Sequence, residues 1–346
     1  MKYLKKRLIP KTEEEVKELI RTTDLLICTP QKLATTFEHF NKIPQHVKYL
    51  IIDEADNLFE EGVIGHMDKI IEKLKENPNE PQKAIFSATM QPNVEELVKI
   101  ILVDHVKVLI GVKNTTVSTV DQSITYVSNE QGKLLALRQK FKEGFKPSML
   151  IFVQSRQRAK ELYEELRYDS IKIGVIHADM LEKERNVTVE AFRCGQLWVL
   201  ICSDLMARGI DFKGVNTVIN YDFPQSIVNY IHRIGRAGRA GNKGTAITFV
   251  TRDDVELLKP IANLMKKSGC EVADWMLKLK APDKKRRKEL EIHPVKRKKI
   301  STEISAHIDK QFQKKIAKRQ KQINKNKRKQ QEDEDDFQIA GEDDIE

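Results

Sequence analysis

One stretch constrains this chain's fold more than any other: Tyr49-Leu50-Ile51-Ile52 runs without polar alternation into Asp53-Glu54-Ala55-Asp56. An unbroken apolar run of this length reads as a strand of a parallel sheet covered on both faces. Its acids then fall at the carboxyl end, where open α/β sheets bind ligands. Adjacent acids at such an edge can hold Mg²⁺ through one carboxylate, Asp53, and orient an attacking water with the next, Glu54. The competing reading is a helix start, with Asp53 as N-cap and Glu54 and Asp56 in the first turn, where acids complement the helix dipole.

The flanking sequence repeats the pattern of apolar strand followed by amphipathic helix. In the first part, strands are expected over 25–28, 49–52 and 84–86, with helices over 13–20, 64–74 and 94–101. In the second, helices are expected over 133–141, 158–166, 182–192, 227–234 and 255–265, between strands over 148–153, 171–176, 197–202, 215–221 and 245–250. Strand and helix alternating in this way specify parallel α/β architecture, and a length of 346 residues suits two domains. The boundaries read as a partial first lobe over 1–112, a connector over 113–130, a second lobe over 131–281 and a tail over 282–346.

Composition narrows the partners. No apolar run approaches the ~20 residues of a membrane-spanning helix, so no membrane partner is expected. Cys28, Cys194, Cys202 and Cys270 have no Cys-x-x-Cys pairing and no histidines at zinc spacing. They read as buried, reduced thiols, with no structural zinc. The net charge of +10 is unevenly placed: residues 284–329 hold 19 Lys or Arg against 4 acids, and residues 332–346 hold 9 acids and no base. A basic arm followed by an acidic tail suits a nucleic-acid-handling protein; a solvated, disordered tail explains the same residues. Within it Ile304, Ile308, Phe312 and Ile316 would stripe one face of a helix.

Further motifs follow strand ends. Ser87-Ala88-Thr89 supplies two hydroxyls after an apolar run, either for a site or to cap the next helix. His232-Arg233-Ile234-Gly235-Arg236-Ala237-Gly238-Arg239 sets arginines three apart, on one side of a helical turn or its end, between glycines that admit close backbone approach. Guanidinium groups so presented can neutralise charge on a transferred phosphoryl group. Ser203-Asp204-Leu205-Met206-Ala207-Arg208-Gly209-Ile210-Asp211 follows another apolar run.

Together these stretches resemble the DEAD-box RNA helicases, in family order from about residue 25 to residue 250. The resemblance implies an α/β fold of two RecA-like parallel-sheet lobes, the first incomplete, with a basic helical or disordered C-terminal tail. It implies ATP and Mg²⁺ as cofactors and RNA as partner. By resemblance Asp53 would hold the metal and Glu54 position water, with Asp56, Ser87, Thr89 and His232 completing the catalytic set. Arg236 and Arg239 would reach the γ-phosphate, and Gly209 and Asp211 would bind nucleotide. Thr29, Pro30, Arg156, Arg185 and Ser203 would contact RNA. Glu182 stands where the family's RNA segment has Gln, so only Arg185 carries over from it; Ala237 stands where many members have Thr. Details near residues 220–224 and 241–244, with the basic tail, look most like the subfamily acting in small-subunit ribosomal RNA maturation. That implies preribosomal partners, a monomer, and residence in the nucleus and nucleolus.

A phosphate-cradling loop, Gly-x-x-x-x-Gly-Lys-Ser/Thr, is absent; the only Gly-Lys pair, Gly132-Lys133, is followed by Leu134. The expected consequence is an N-terminally incomplete form, either a truncated gene model or a real short product, with an unpaired sheet edge in the first lobe. A non-catalytic RNA-binding or preribosome-assembly protein is the alternative to an active enzyme.

Overall fold

The computed structural model describes residues 3–4, 12–40, 42–59, 63–110, 119–204, 210, 212, 214–239, 241–283, 285–286, 289–290 and 293–301. The chain divides into two units, residues 1–116 and 117–346.

In the first unit, β1 (Tyr3–Leu4) pairs in parallel with β2 (Leu25–Leu26), and β3 (Tyr49–Ile52) pairs in parallel with β4 (Gln82–Ile85). Among the described residues four α-helices accompany them: α1 (Glu13–Thr22), α2 (Pro30–His39), α3 (Val63–Lys75) and α4 (Pro92–Ile101). Helix α3 buries Met67, Ile70 and Leu74, and α4 buries Val94, Leu97, Val98 and Ile101; this spacing puts each set on one helical face. They close on Leu50 and Ile52 in one apolar cluster.

The β3 strand departs from the expectation of burial on both faces. Tyr49 and Ile51, on its other face, are 67% and 62% exposed, because the packed helices cover only the Leu50 and Ile52 side. The strand expected over 25–28 is likewise short and exposed, with Ile27 open to solvent. Cys28 and Cys194 are exposed too, so the expectation of buried thiols holds fully for Cys202 alone.

In the second unit six parallel strands lie in the order β5 (Val120–Tyr126), β10 (Gly244–Val250), β9 (Thr217–Asn220), β6 (Met149–Val153), β8 (Val199–Ser203), β7 (Ile173–Ile176). Every residue of β6 and β8 is buried. Their alternate side chains feed two apolar clusters, Leu150, Phe152, Leu200 and Cys202 in one, and Met149, Ile151, Val199 and Ile201 in the other. Its described residues also form helices α5 (Glu130–Lys142), α6 (Arg156–Leu166), α7 (Glu182–Arg193), α8 (Ile227–Ile234), α9 (Val255–Lys267) and α10 (Asp274–Lys278). The chain passes from β8 on one side of β6 to β9 on the other, so strand order switches at β6. Ligands in open α/β sheets gather outside the carboxyl ends at such a point.

Two boundaries differ from expectation. Residues 120–126, expected within the connector, form an edge strand whose register with β10 runs from Val120 opposite Gly244 to Tyr126 opposite Val250. Residues 293–301, expected to belong to a free tail, pack on the second unit, where Ile300 is buried. The Ile304, Ile308, Phe312 and Ile316 stripe lies outside the described residues.

Candidate functional site

The acids of the first unit sit where β3 ends. Phe86 N–H donates to the Ile52 carbonyl at 2.8 Å and Ala55 N–H to the Phe86 carbonyl at 3.0 Å, so the turn beyond β3 is stitched to the chain beyond β4. Glu54 lies in this turn with φ 52°, a left-handed conformation that costs a non-glycine residue about 1–2 kcal/mol. Such strain persists where surrounding contacts over-determine it, and it gathers at functional sites. Here the contacts are named: Glu54 N–H donates to Asp53 Oδ1 at 2.9 Å, and Asn57 Nδ2 donates to Glu54 Oε2 at 2.9 Å. Asp53 therefore caps no long helix. Only a short 3₁₀ turn, Ala55–Phe59, follows, and Asp53 stays exposed.

Asp56 faces the other way. Its Oδ2 accepts both the Thr89 hydroxyl at 2.6 Å and the Thr89 N–H at 3.1 Å, and Ser87 Oγ donates to the Thr89 carbonyl at 2.7 Å. The hydroxyls thus do not cap α4, whose N-cap is Gln91 with no side-chain bond. Thr29 precedes α2 with Pro30 at its first turn; Thr29 is exposed and makes no side-chain cap.

An exposed carboxylate on a rigid strand end suits Mg²⁺, which takes one or two protein carboxylates and keeps several waters. Among the described residues no cluster of three or more metal-ligating side chains occurs.

In the second unit, the three arginines of the 232–239 stretch have different fates. Arg233 turns inward and is 2% exposed. Its fork donates to Asp204 Oδ1 at 2.5 Å and Oδ2 at 2.7 Å, and its remaining arm donates to the Asp222 carbonyl at 2.7 Å. Bidentate pairing of this kind ties the ends of β8 and β9 to α8. Arg236 and Arg239 follow the end of α8 rather than lying on it. Arg236 Nη1 donates to the Ile210 carbonyl at 3.2 Å and Arg239 Nε to the Gly235 carbonyl at 2.8 Å; Arg239 is exposed and His232 half-buried.

The glycine at 238 is required. Its φ is +68°, and a Cβ there would come within 2.8 Å of both Thr119 Oγ1 and Val120 Cγ2. The Thr119 hydroxyl already donates to the Gly238 carbonyl at 3.0 Å, holding the arginine turn to the edge strand.

Ser203 ends β8 and is buried. Gly209 and Asp211 lie outside the described residues. Arg156 opens α6 and its Nη1 donates to Asp179 Oδ1 at 2.7 Å; Lys160 Nζ donates to the other oxygen, also at 2.7 Å. Arg185 is half-buried on α7. Sequence reasoning passed over Asp179, Lys160 and Asn57. Asp179 lies six residues before Arg185, and Asn57 one residue past the acids, so position was the available signal.

A second acidic centre lies at the carboxyl ends of β6 and β9. Fully buried Asp222 receives Lys133 Nζ at 3.1 Å, Arg158 Nε at 2.5 Å and the Gln154 N–H at 2.9 Å. Burial alone would raise its pKa, but Lys133, Arg158 and Arg297 hold the carboxyl well below the usual range. Burial likewise opposes charge on Arg158, which Asp222 and Glu130 more than offset, keeping it protonated. Lys133, the lysine of the only Gly-Lys pair, is therefore an internal counter-ion and not a phosphate ligand.

A strand ending in paired acids, joined to a second strand end by an aspartate–threonine bond, accompanies a parallel lobe presenting arginines after a helix. These define an α/β protein of the helicase class. A family model described as DEAD/DEAH box helicase matches residues 3–97, and one described as helicase conserved C-terminal domain matches residues 132–241. The chain is 50% identical over 283 residues to DEAD-box ATP-dependent RNA helicase 57 of Arabidopsis thaliana, covering 82% of this chain and 51% of that protein. It is 45% identical over 282 residues to ATP-dependent RNA helicase ROK1 of Kluyveromyces lactis, covering 81% and 48%. Among solved structures, Saccharomyces cerevisiae Dbp5 bound to RNA and ADP BeF3 aligns with a TM-score of 0.61 at 28% identity, covering 78% of this chain and 70% of that one. The chain belongs to the DEAD-box helicase family, and spans about half the length of the curated relatives it matches.

Proposed function

We propose that this chain is part of an ATP-dependent RNA helicase that remodels RNA in ribosomal RNA processing. The observation that carries the reading is the Asp56–Thr89 pairing, which welds the acid turn to the Ser87-Ala88-Thr89 strand end. A change at one strand end is then felt at the other, which is what coupling of hydrolysis to RNA binding requires.

Magnesium-bound ATP supplies the transferred phosphoryl group and its charge. Asp53 would hold the cation, and Glu54, set by Asn57, would orient the attacking water. Arg236 and Arg239 neutralise developing charge, with His232 beside them, while Gly209 and Asp211 contact nucleotide. Thr29, Pro30, Arg156, Arg185 and Ser203 take the RNA backbone. Dbp5 in its RNA-bound, ADP BeF3 form supports the pairing of these two ligands, and the names of the curated relatives support ATP-dependent RNA unwinding. The basic arm and the ribosomal RNA subfamily resemblance support a monomer acting on preribosomal RNA in the nucleus and nucleolus.

A second reading has its own observation. Lys133 is sequestered beside Asp222 and no other Gly-Lys pair exists, which favours a non-catalytic RNA-binding or preribosome-assembly role for this polypeptide. RNA-stimulated ATP hydrolysis by the purified 346-residue chain decides between them. The enzyme reading expects turnover that Glu54→Gln lowers by at least about 10²-fold, in the range of a lost general base. RNA binding with no turnover in either protein leaves the binding role.

A further inference from the structure

Residues 293–301 lie beyond both family matches, which end at 97 and 241. Their run Lys296-Arg297-Lys298-Lys299 reads as a solvated basic arm, and Lys296, Lys298 and Lys299 are indeed exposed. Arg297 is not: its side chain is 5% exposed. Its Nη2 donates to Asp254 Oδ1 at 2.6 Å, its Nε donates to Gln154 Oε1 at 2.7 Å, and it lies 3.4 Å from Asp222.

The surrounding contacts make a strap. Gln154 Nε2 donates to the Val295 carbonyl at 3.0 Å, Arg158 Nη1 to the Lys298 carbonyl at 2.9 Å, and Ile300 N–H to Glu161 Oε2 at 3.1 Å. Ile300 then enters the apolar cluster of Leu134 and Leu137. Electrostatically the strap completes a balance: Lys133, Arg158 and Arg297 face Glu130, Asp222 and Asp254. Without Arg297 one negative charge would stay buried and uncompensated, an arrangement proteins avoid.

Gln154 is gripped at three points. Its N–H goes to Asp222, and its side chain to Arg297 and to Val295. The next residues are Ser155, which caps α6 by accepting the Arg158 N–H, and Arg156, an RNA contact in the reading above. We propose that Arg297 is a positioning residue: through Gln154 it fixes the 154–156 turn, at the strand-order switch, that presents Arg156 to an RNA phosphate. This rests on the RNA-binding role of Arg156. A guanidinium suits the task because its planar fork addresses an amide and a carboxylate together, which an ammonium does not.

The test uses the full chain with Arg297→Met and, because that change disturbs a buried charge balance, separately Gln154→Leu, which leaves every ion in place. Amide exchange by mass spectrometry should accelerate over 154–157 by about tenfold in both, with β8 unchanged as a control for global loosening. Affinity for a uridine oligonucleotide should fall by about three- to tenfold in each, the worth of a net hydrogen bond. Neither change should weaken binding further when combined with Arg156→Ala. Unchanged exchange over 154–157 in both variants overturns the proposal, as does a full additional loss of affinity on the Arg156→Ala background. If Arg156→Ala itself leaves RNA affinity intact, the RNA role of this turn fails, and the exchange result still decides whether Arg297 holds it.

Discussion

At the scale of single residues, spacing and fate are different things. Arg233, Arg236 and Arg239 are equivalent by spacing, yet Arg233 and Arg236 are buried, the first paired with Asp204 and the second donating to the Ile210 carbonyl, while Arg239 is exposed beyond the helix end. Asp53 and Asp56 part similarly, one exposed and the other engaged by Thr89. That bond should be measurable. Thr89→Val removes the hydroxyl and keeps the N–H contact, so it should destabilise the acid turn by about 1.5–3 kcal/mol, the range for hydrogen bonds to charged groups. Both tryptophans, Trp198 and Trp275, lie in the second unit, so their fluorescence is blind to this change. Amide exchange over 53–57 is the suitable readout; unaltered protection there would mean that Asp56 does not depend on Thr89. Local grammar placed the acids and the hydroxyls at strand ends, because both follow apolar runs, and left open whether the hydroxyls would cap the next helix. It did not reveal which arginine pairs with Asp204, because Asp204 is distant in sequence from Arg233.

At the scale of elements, the strands and helices of the second unit were legible because β6 and β8 are continuously apolar and their helices are amphipathic. Strand β5 was not: Val120-Asp121-Gln122-Ser123 carries a polar edge-strand pattern that also describes a connector, and only pairing with β10 separates the two. The strap was hidden for the same kind of reason, since a basic run is solvated unless distant carboxylates receive it. Asp222, which draws β6, β9, α5, α6 and the strap together, gives this architecture a pH signature. Its folded pKa lies below the ordinary carboxylate value of about 3.9, with burial opposed by Lys133, Arg158 and Arg297. A depressed pKa contributes stability that is complete above the unfolded value and is lost as pH falls below it. The second unit should therefore keep its Asp222-dependent stability from neutrality down to about pH 4 and lose it progressively below. Asp222→Asn should cost about 3–5 kcal/mol at neutral pH, as for one partner of a buried ion pair, and flatten that acid limb. Urea unfolding followed by tryptophan fluorescence across pH reads both; an acid limb unchanged in the variant would assign it to other carboxylates.

At the scale of the whole chain, charge is sorted by position. Residues 330–346 carry 9 acids and no base, while the chain as a whole is +10. Under the RNA-binding reading these acids compete with phosphate for the same cations. Ending the chain at Lys329 would raise the net charge to +19 and remove none of the described residues. Binding that rests on phosphate neutralisation scales linearly in log affinity with log salt, with a slope near −0.7 per phosphate contacted on single strands. The shortened chain should bind a uridine oligonucleotide more tightly at low salt and with a steeper slope. The two proteins should converge near 1 M salt, where the Debye length falls to about 3 Å. Equal slopes would mean that the acidic segment does not mask the basic one. A difference that persisted at high salt would mean that it acts by contact rather than by charge.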